Sequence, residues 1–502
     1  MSKESTLELQ RASLNGLKLD WTYQFLTPAE LKKFADERLP HNFDALRNQL
    51  MSGTFENKTE GRSVSHVLSR STDSVVKDPK TSKFAGIVRK LRSGNWLGAT
   101  GKPITDIVNI GVGGSDLGPL MTSFALAEFA TDVQQHEVRT HFVSSMDGGQ
   151  LYAVLPIANP ETTLFIVASK SFGTIDTFAN VDTVKEWIKP AFNKAGKSEA
   201  DWLNHHVVGL SASAQAMTDY GIPAAHQLTF SQSVGGRFSM WSAIGLSIAT
   251  TCGVRVFERL LNGARAMDEH FANASVTENI PMIMALTGAY NREVRGINNL
   301  AILPYDGRFR HLPSYLQQLD MESNGKQCDH TGEAIDYPTG PLIWGGFGPN
   351  GQHAFFQHLH QGYDQFSADF VLVKKREAAK FTEAVQDALA EQQDLAVANC
   401  LAHRRLMAFG YQGETPRDQY PGGHPSNLIA IDELTPETFG ALIAAYEHKV
   451  FVQGVLWGLN SFDQPGVERG KKIAVEVLRR MRGESDAQYD ASTEAVLANK
   501  QA

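Results

Sequence analysis

Short apolar runs alternate with helical patterns along most of this 502-residue chain. From about residue 104, the runs ITDIVNIGV, RTHFVSS, TTLFIVASKS and HHVVGLSAS are typical of buried strands. A second set follows with INNLAILPYD, GPLIWGGF and DFVLVKK. Buried strands that alternate with helices form parallel sheets covered by helices on both faces. The pattern therefore predicts an α/β fold with two sheets.

The two sets of strands predict two three-layer α/β/α domains, since a chain of this length exceeds one ordinary domain. We place these domains at residues 80–265 and 285–455. A helical N-terminal segment, residues 1–80, precedes them, and a C-terminal helical arm, residues 456–502, follows. Two long helical patterns, EAVQDALAEQQDLAVANCLAHRRLMAFG and TPETFGALIAAYEHKVFVQGVLWGL, are predicted to lie on the second domain.

Composition excludes several classes of protein. The net charge of −8 and the pI near 6.1 disfavour a nucleic-acid or anionic-membrane binder, which would carry excess Lys and Arg. No apolar run is long enough to span a bilayer, and the N-terminus lacks the apolar centre of a secretory signal. The three cysteines are far apart, which suits a reducing cytoplasm, and we expect a cytoplasmic protein without nucleic-acid or membrane partners.

The stretch GVGGSDLG, residues 111–118, directly follows a predicted strand. It fails the dinucleotide pattern G-x-G-x-x-G because Asp116 stands at the third glycine position, and the chain has no nucleotide-triphosphate loop. What remains is a glycine-rich turn with a hydroxyl, Ser115, where a ligand can approach the backbone and a helix N-terminus. A tight structural turn explains this stretch equally well when it is taken alone.

A second strand-to-helix turn, ASKSFGTIDT, covers residues 168–177. It brings together Ser169, Ser171 and Thr174, with Lys170 among them. Hydroxyls at a helix N-terminus suit a small dianion such as a phosphate monoester. Helix capping is the plainer alternative, but one hydroxyl is enough for capping. The turn therefore favours phosphate binding.

Six motifs carry a family resemblance: GVGGSDLGP, ASKSFGT, SVGGRFSMWSAIGL, QQLDMESNGK, GPNGQHAFFQHLHQG and LNSFDQPGVERGK. In this order, from about Asn109 to Lys471, they resemble the glucose-6-phosphate isomerase (phosphoglucose isomerase) family. The resemblance implies two sugar-isomerase (SIS) domains, each with a five-stranded parallel sheet. It also implies a homodimer that interconverts glucose 6-phosphate and fructose 6-phosphate in glycolysis and gluconeogenesis, without a cofactor. We expect no metal, because His358 and His360 are two residues apart and would point to different faces of a helix.

The resemblance also assigns roles by position. The residues that match substrate-binding positions are Gly114, Ser115, Ser169, Lys170, Ser171, Phe172, Gly173, Thr174, Gln318 and Gln464. The residues that match catalytic positions are Arg237, Glu322, His353 and Lys471. In the family, the histidine that corresponds to His353 reaches the site from the neighbouring subunit.

These residue types suit aldose–ketose isomerisation without a metal. Glu322 is the candidate base for proton transfer between C2 and C1 through an enediol, and Arg237 is suited to stabilising the enediolate charge. His353, with help from Lys471, is the candidate for opening the sugar ring, because imidazole exchanges protons near neutral pH. Taken alone, Glu322 is better explained as a solvated helix end, and Arg237 is equally well explained as part of a structural ion pair.

The chain departs from the family pattern in the phosphate turn, where Ser171, Gly173 and Asp176 replace Thr, Thr and Glu, and at Arg469, where the family has an apolar residue. A phosphosugar-binding regulator built on SIS domains is the alternative function, although such a protein would lack Glu322, His353 or Lys471. Use of mannose 6-phosphate as a second substrate stays open.

Overall fold

The computed structural model describes residues 7–71, 82–130 and 136–501, with side chains to residue 498. The chain divides into two compact units, Met1–Ser461 and Phe462–Ala502. Both sheets of the α/β fold lie in the first unit. The finer division at 80–265 and 285–455 stays a prediction.

The N-terminal segment begins with a β-hairpin that the prediction of a helical segment missed. Asn15 and Gly16 form its turn with positive φ angles of 46° and 87°, the combination that a two-residue Asn-Gly turn requires. The elements of the segment, in chain order, are β1 (Arg11–Leu14), β2 (Leu17–Asp20), α1 (Pro28–Arg38), α2 (Phe43–Ser52), β3 (Phe55–Asn57) and β4 (Arg62–Val64).

The first large sheet has five parallel strands, as predicted, and helices connect them. Its elements are α3 (Lys83–Arg92), β5 (Asp106–Gly111), α4 (Leu117–Leu126), β6 (Arg139–Val143), α5 (Gly149–Val154), β7 (Thr163–Ala168), α6 (Ile175–Lys194), α7 (Glu199–His206), β8 (Val207–Ser211), α8 (Ala214–Asp219) and β9 (Gln227–Thr229). Every residue of β5 and β7 is buried, as expected for central strands covered on both faces.

The strand order of the first sheet, β6-β5-β7-β8-β9, indicates where a ligand would bind. The chain leaves β5 toward β6 on one side and then returns to β7 on the other, so the order reverses between β5 and β7. Ligands of open α/β sheets bind at such a point, beyond the carboxyl ends of the strands. Because Gly111 pairs with Ala168 in register, the two turns singled out in the sequence leave the sheet side by side.

The second large sheet follows three helices and completes the first unit. The elements are α9 (Leu246–Cys252), α10 (Val254–Asn273), α11 (Ile280–Glu293), β10 (Asn299–Pro304), α12 (Leu312–Leu316), a π-helical turn (Gln317–Glu322), β11 (Leu342–Gly345), α13 (Gly348–Gly351), α14 (Phe356–Gln361), β12 (Ser367–Lys375), α15 (Glu383–Phe409), β13 (Ser426–Glu433) and α16 (Pro436–Leu456).

The second sheet has the order β1-β2-β13-β12-β10-β11. Strands β10 to β13 are parallel, and β2 pairs antiparallel with β13, placing Asp20 opposite Leu428. The family resemblance implied five parallel strands here. The N-terminal hairpin instead covers the edge of β13, which would otherwise expose unpaired backbone groups.

Helix α16 is buried on nearly all sides and crosses α10 at very short range. A Cβ atom on Gly263 would overlap the backbone of Glu437, and one on Gly440 would overlap the carbonyl oxygen of Leu260. The two glycines therefore permit the close helix crossing. The second unit contains α17 (Glu468–Met481) and α18 (Ala491–Gln501).

Candidate active site

The turn after β5 fits against the backbone that carries Arg237. A Cβ atom on Gly114 would overlap the carbonyl oxygen of Gly236 and come within 2.6 Å of the Arg237 backbone nitrogen. Only a glycine allows this approach. The Gly-rich motif thus positions Arg237 in addition to leaving its own backbone open to a ligand.

We expect Gly114→Ala to lower kcat by about 100-fold, because the new methyl group displaces the Arg237 backbone by an ångström or more. Gly236→Ala is the matched control, since a Cβ atom there meets nothing within 4 Å. Steady-state kinetics of both variants check this expectation. Equal kcat values for the two variants would show that the close approach at Gly114 does not matter.

The Arg237 guanidinium is buried and held on several sides. Its Nε donates to the Ser323 hydroxyl at 2.7 Å and its Nη2 to the Ser461 carbonyl at 2.7 Å. Its Nη1 lies 3.2 Å from Glu322 Oε2. The side chain is 2% exposed, so these partners fix the direction in which its charge acts.

Glu322 is the last residue of the π-helical turn, a feature that often marks functional sites. The Ser323 hydroxyl donates to the Leu319 carbonyl at 2.6 Å while it accepts from Arg237, and so ties the turn to Arg237. The other carboxylate of this turn, Asp320, is buried against the Lys449 ammonium. Glu322 remains 22% exposed, and it is therefore the carboxylate of this motif that a substrate can reach.

Gln318, on the same π-helical turn, faces the glycine-rich turn. Its Nε2 would be 2.8 Å from a Cβ atom on Gly113. Its Oε1 is buried and has no hydrogen-bond partner among the described residues. A buried carbonyl without a partner costs free energy, and a substrate hydroxyl could supply the missing bond.

A buried charge cluster behind Arg237 was missed by sequence reasoning. The Tyr315 hydroxyl lies 3.4 Å from the Arg237 carbonyl and 3.4 Å from Glu447 Oε1. Glu447 also accepts from the Trp241 indole at 2.9 Å and pairs with the Arg70 guanidinium. Burial raises the pKa of Glu447 to about 7 although Arg70 opposes the shift. These residues are far apart in sequence, so no local pattern indicates them.

The turn after β7 keeps its hydroxyls near the start of α6. Ser169 Oγ lies 2.8 Å from Thr174 Oγ1, and the Thr174 side chain does not cap the helix. The hydroxyls of Ser115 and Ser171 make no hydrogen bond within the described ranges. The uncapped N-terminus of a 20-residue helix is therefore left with hydroxyls around it, an arrangement that suits an anion better than simple capping.

The backbone of this turn is anchored in the core. Phe172 has a positive φ of 54°, rare for a non-glycine residue, and its buried ring packs against Phe178 and Tyr220. At Gly173 a Cβ atom would contact only the Ser171 hydroxyl, at 3.9 Å. Burial, with the nearby Arg62, lowers the pKa of Lys170 to about 8.

The remaining predicted residues lie elsewhere in the chain. His353 follows α13, and its exposed side chain has no hydrogen bond or ion pair to the part of the chain that the structure describes. Lys471 belongs to the second unit, on α17, where its ammonium lies 2.8 Å from Glu468 Oε1. Gln464 precedes α17. The roles of these three residues in the site stay predictions.

The described residues form neither a metal site nor a membrane-spanning helix. Within 7–71, 82–130 and 136–501, no group of three or more His, Cys, Asp and Glu side chains is arranged to hold a metal ion. None of the helices in these ranges has the length and apolarity needed to cross a membrane.

Comparison with known proteins gives consistent matches. The phosphoglucose isomerase family model matches residues 20–497. The glucose-6-phosphate isomerase of Idiomarina loihiensis is 67% identical over 483 residues, which cover 96% of this chain and 98% of that protein. The glucose-6-phosphate isomerase of Acinetobacter venetianus is 49% identical over 427 residues, covering 83% of this chain and 76% of that protein.

Solved structures agree. The crystal structure of a glucose-6-phosphate isomerase from Chlamydia trachomatis has a TM-score of 0.80 at 28% identity, covering 98% of this chain and 93% of that one. A hypothetical protein from Thermus thermophilus, with a TM-score of 0.68 at 24% identity, shares the fold over 92% of this chain and 99% of its own. Together with the glycine-rich turn, the hydroxyl-rich turn and the Arg237–Glu322 pair, these matches show that the chain belongs to the phosphoglucose isomerase family.

Proposed function

We propose that this chain interconverts glucose 6-phosphate and fructose 6-phosphate by ring opening and proton transfer through a cis-enediol, without a metal. Family membership and the 67% identical glucose-6-phosphate isomerase support the reaction. The observation that carries the mechanism is the Arg237–Glu322 pair: a partly exposed carboxylate lies 3.2 Å from a buried, fixed guanidinium. A base and a stabiliser of developing negative charge are thereby adjacent.

The proton-transfer step uses this pair. Glu322 removes the proton from C2 of the open-chain aldose, and the electron pair moves to the carbonyl oxygen to give an enediolate. Arg237, which stays protonated, stabilises that charge. A proton then passes from the C2 hydroxyl to the oxygen on C1, Glu322 returns its proton to C1, and the ketose forms. The Gln318 carbonyl, which is unpartnered in the described structure, is placed to accept a hydrogen bond from a sugar hydroxyl.

Ring opening precedes proton transfer because the substrate is mostly cyclic. An acid must protonate the ring oxygen while the proton of the anomeric hydroxyl leaves. We assign the acid role to His353, with Lys471 assisting the proton movement and Gln464 binding a sugar hydroxyl. The His353 side chain is exposed on its own subunit, which supports a role for its imidazole in a site outside its immediate surroundings.

We assign the phosphate group of the substrate to the point between β5 and β7 where the strand order of the first sheet reverses. The turn after β5 supplies Gly114 and Ser115, and the turn after β7 supplies residues 169–174. Both turns begin at the same edge of the sheet, and the N-terminus of α6 adds its partial positive charge. Lys170 provides a full charge there.

We expect the KM for fructose 6-phosphate to rise about tenfold between pH 7.5 and 9.5, because Lys170, whose pKa is about 8, loses its positive charge over that range. The substrate stays a dianion throughout, since the second pKa of a phosphate monoester is near 6. Kinetics as a function of pH check this. Lys170→Gln should give a high, flat KM, whereas Lys194→Gln at the far end of α6 should keep the wild-type profile, and a pH-dependent KM in Lys170→Gln would contradict the assignment.

We further propose a homodimer in which each site takes His353 from the neighbouring subunit. Co-expression of Glu322→Gln and His353→Ala subunits tests this, because each homodimer lacks one group at both sites. A hybrid dimer would have one intact site, so a random mixture should recover about a quarter of wild-type activity. If each site uses its own His353, hybrids stay as inactive as the parents. Full activity in protein that analytical ultracentrifugation shows to be monomeric would also contradict the proposal.

A coupled assay tests the reaction itself, with fructose 6-phosphate as substrate and glucose 6-phosphate followed by an added dehydrogenase. Absence of product from protein that still binds the phosphosugar would favour the regulator.

We also propose a cytoplasmic location, which the unpaired state of Cys252, Cys328 and Cys400 supports.

A further inference from the structure

A chain of polar side chains lies directly behind the segment that carries His353. Gln352 Nε2 is 2.9 Å from Asn399 Oδ1 and 2.9 Å from His403 Nε2, both on α15. His403 Nδ1 is in turn 2.9 Å from His360 Nε2 on α14. The residue next to His353 is therefore bonded directly to α15 and is linked through His403 to α14.

The directions of these side-chain hydrogen bonds are fixed from the Asn399 end. Asn399 Nδ2 donates to the Leu395 carbonyl at 2.8 Å, so its Oδ1 must face Gln352. Gln352 Nε2 has two hydrogens and gives one to Asn399 and one to His403 Nε2. His403 is consequently protonated on Nδ1 and donates to His360 Nε2. His360 then has its proton on Nδ1, an atom that is buried and has no partner among the described residues.

The surroundings favour this neutral arrangement. Burial, together with His403 and His424, lowers the pKa of His360 to about 4, and burial also lowers the pKa of His403. The ring of Phe356 packs edge-on against both imidazoles, with centroids 5.8 and 5.0 Å away. Both rings thus keep the single tautomer that the chain of hydrogen bonds requires.

We infer that Gln352, His403 and His360 are positioning residues for His353. The inference rests on the proposed ring-opening role of His353. Because His353 has an exposed side chain and no hydrogen bond of its own within the described ranges, the direction of its imidazole depends on how firmly the neighbouring backbone is held. The hydrogen bonds of the Gln352 amide fix this backbone to α15. Because His403 donates from Nδ1 to His360, its Nε2 is the atom that accepts from Gln352. A supporting shell of this kind sets catalytic groups within about 0.5 Å of their working positions.

The test compares His403→Asn with His403→Gln. The amide of Gln reaches the position of imidazole Nε2 and can accept from Gln352, whereas the amide of Asn reaches only the position of Nδ1. We expect His403→Asn to lower kcat about tenfold or more with KM changed less than about twofold, and His403→Gln to recover most of that loss. Thermal unfolding of each variant shows whether it is folded.

Two further variants separate this inference from the proposed function. His353→Ala should lower kcat strongly, and the double variant His353→Ala/His403→Asn should lose no more than His353→Ala alone, because the second change acts through the missing side chain. A low kcat in His353→Ala with wild-type kcat in His403→Asn would overturn the positioning role only. Unchanged kcat in His353→Ala would overturn the ring-opening role. If the fold-decreases in kcat of His353→Ala and His403→Asn multiply in the double variant, His403 acts independently of His353. An equal decrease in kcat in His403→Asn and His403→Gln would show the same.

Discussion

Glu322→Gln should lower kcat by about 10³-fold while the Kd for fructose 6-phosphate changes less than about threefold. The amide cannot take up the C2 proton, but it keeps the shape of the side chain and an oxygen that can face Arg237 Nη1. Arg237 also keeps its bonds to Ser323 and Ser461, so the site should stay assembled. Steady-state kinetics and calorimetric binding of the phosphosugar measure the two quantities separately.

Glu293→Gln is a matched control for this variant. The Glu293 side chain is 19% exposed, close to the 22% of Glu322, and its carboxylate pairs with the Arg38 guanidinium at 2.9 Å. It lies on α11, and its loss should leave kcat within about twofold of wild type. If binding by Glu322→Gln weakens as much as turnover falls, Glu322 is a structural partner of Arg237 and not the base.

Arg237→Lys should lower kcat by about 100-fold, because an ammonium cannot reproduce the fixed direction of the guanidinium toward the enediolate oxygen. The change also leaves the Ser323 hydroxyl or the Ser461 carbonyl without its present donor, which should cost about 1–3 kcal/mol of stability. Kinetics and thermal unfolding give both values.

Arg92→Lys separates the two effects of that change. Arg92 is a buried arginine that donates to the Thr250 and Thr251 carbonyls of α9 at 3.2 and 2.9 Å. Its replacement should reduce stability and leave kcat near wild type. If Arg237→Lys loses stability but keeps its turnover, stabilisation of the enediolate by Arg237 is refuted.

The strands that hold the site could be predicted because burial on both faces gives continuous apolar runs. β5 and β7 each consist of six buried residues, and their sequences alone indicate strands. The N-terminal hairpin was missed although Asn15-Gly16 is a strong turn signal. The pairing of β2 with β13 was outside the reach of local pattern, since the two strands are some 400 residues apart.

The candidate site likewise contains residues that the sequence indicates and contacts that only the fold brings together. Glu322 and Arg237 came from the resemblance, whereas their 3.2 Å approach depends on the fold. Ser461, which holds Arg237 through a backbone carbonyl, could not be predicted because any residue type supplies that group. The π-helical turn likewise has no sequence signature that distinguishes it from the end of an α-helix. Gly114 drew attention as a flexible turn residue, but its contact with Gly236 is the stronger reason for a glycine there.

Isotope incorporation tests the central claim, that Glu322 moves a proton through an enediol without a metal, most directly. Metal-stripped wild-type protein and Glu322→Gln would be incubated with fructose 6-phosphate in D₂O, and the glucose 6-phosphate would be examined by NMR. We expect wild-type protein to form product of which a part carries deuterium at C2, and Glu322→Gln to form product and deuterated substrate about 10³-fold more slowly. Full turnover without any deuterium, dependence of the wild type on an added metal ion, or wild-type exchange by Glu322→Gln would contradict the mechanism.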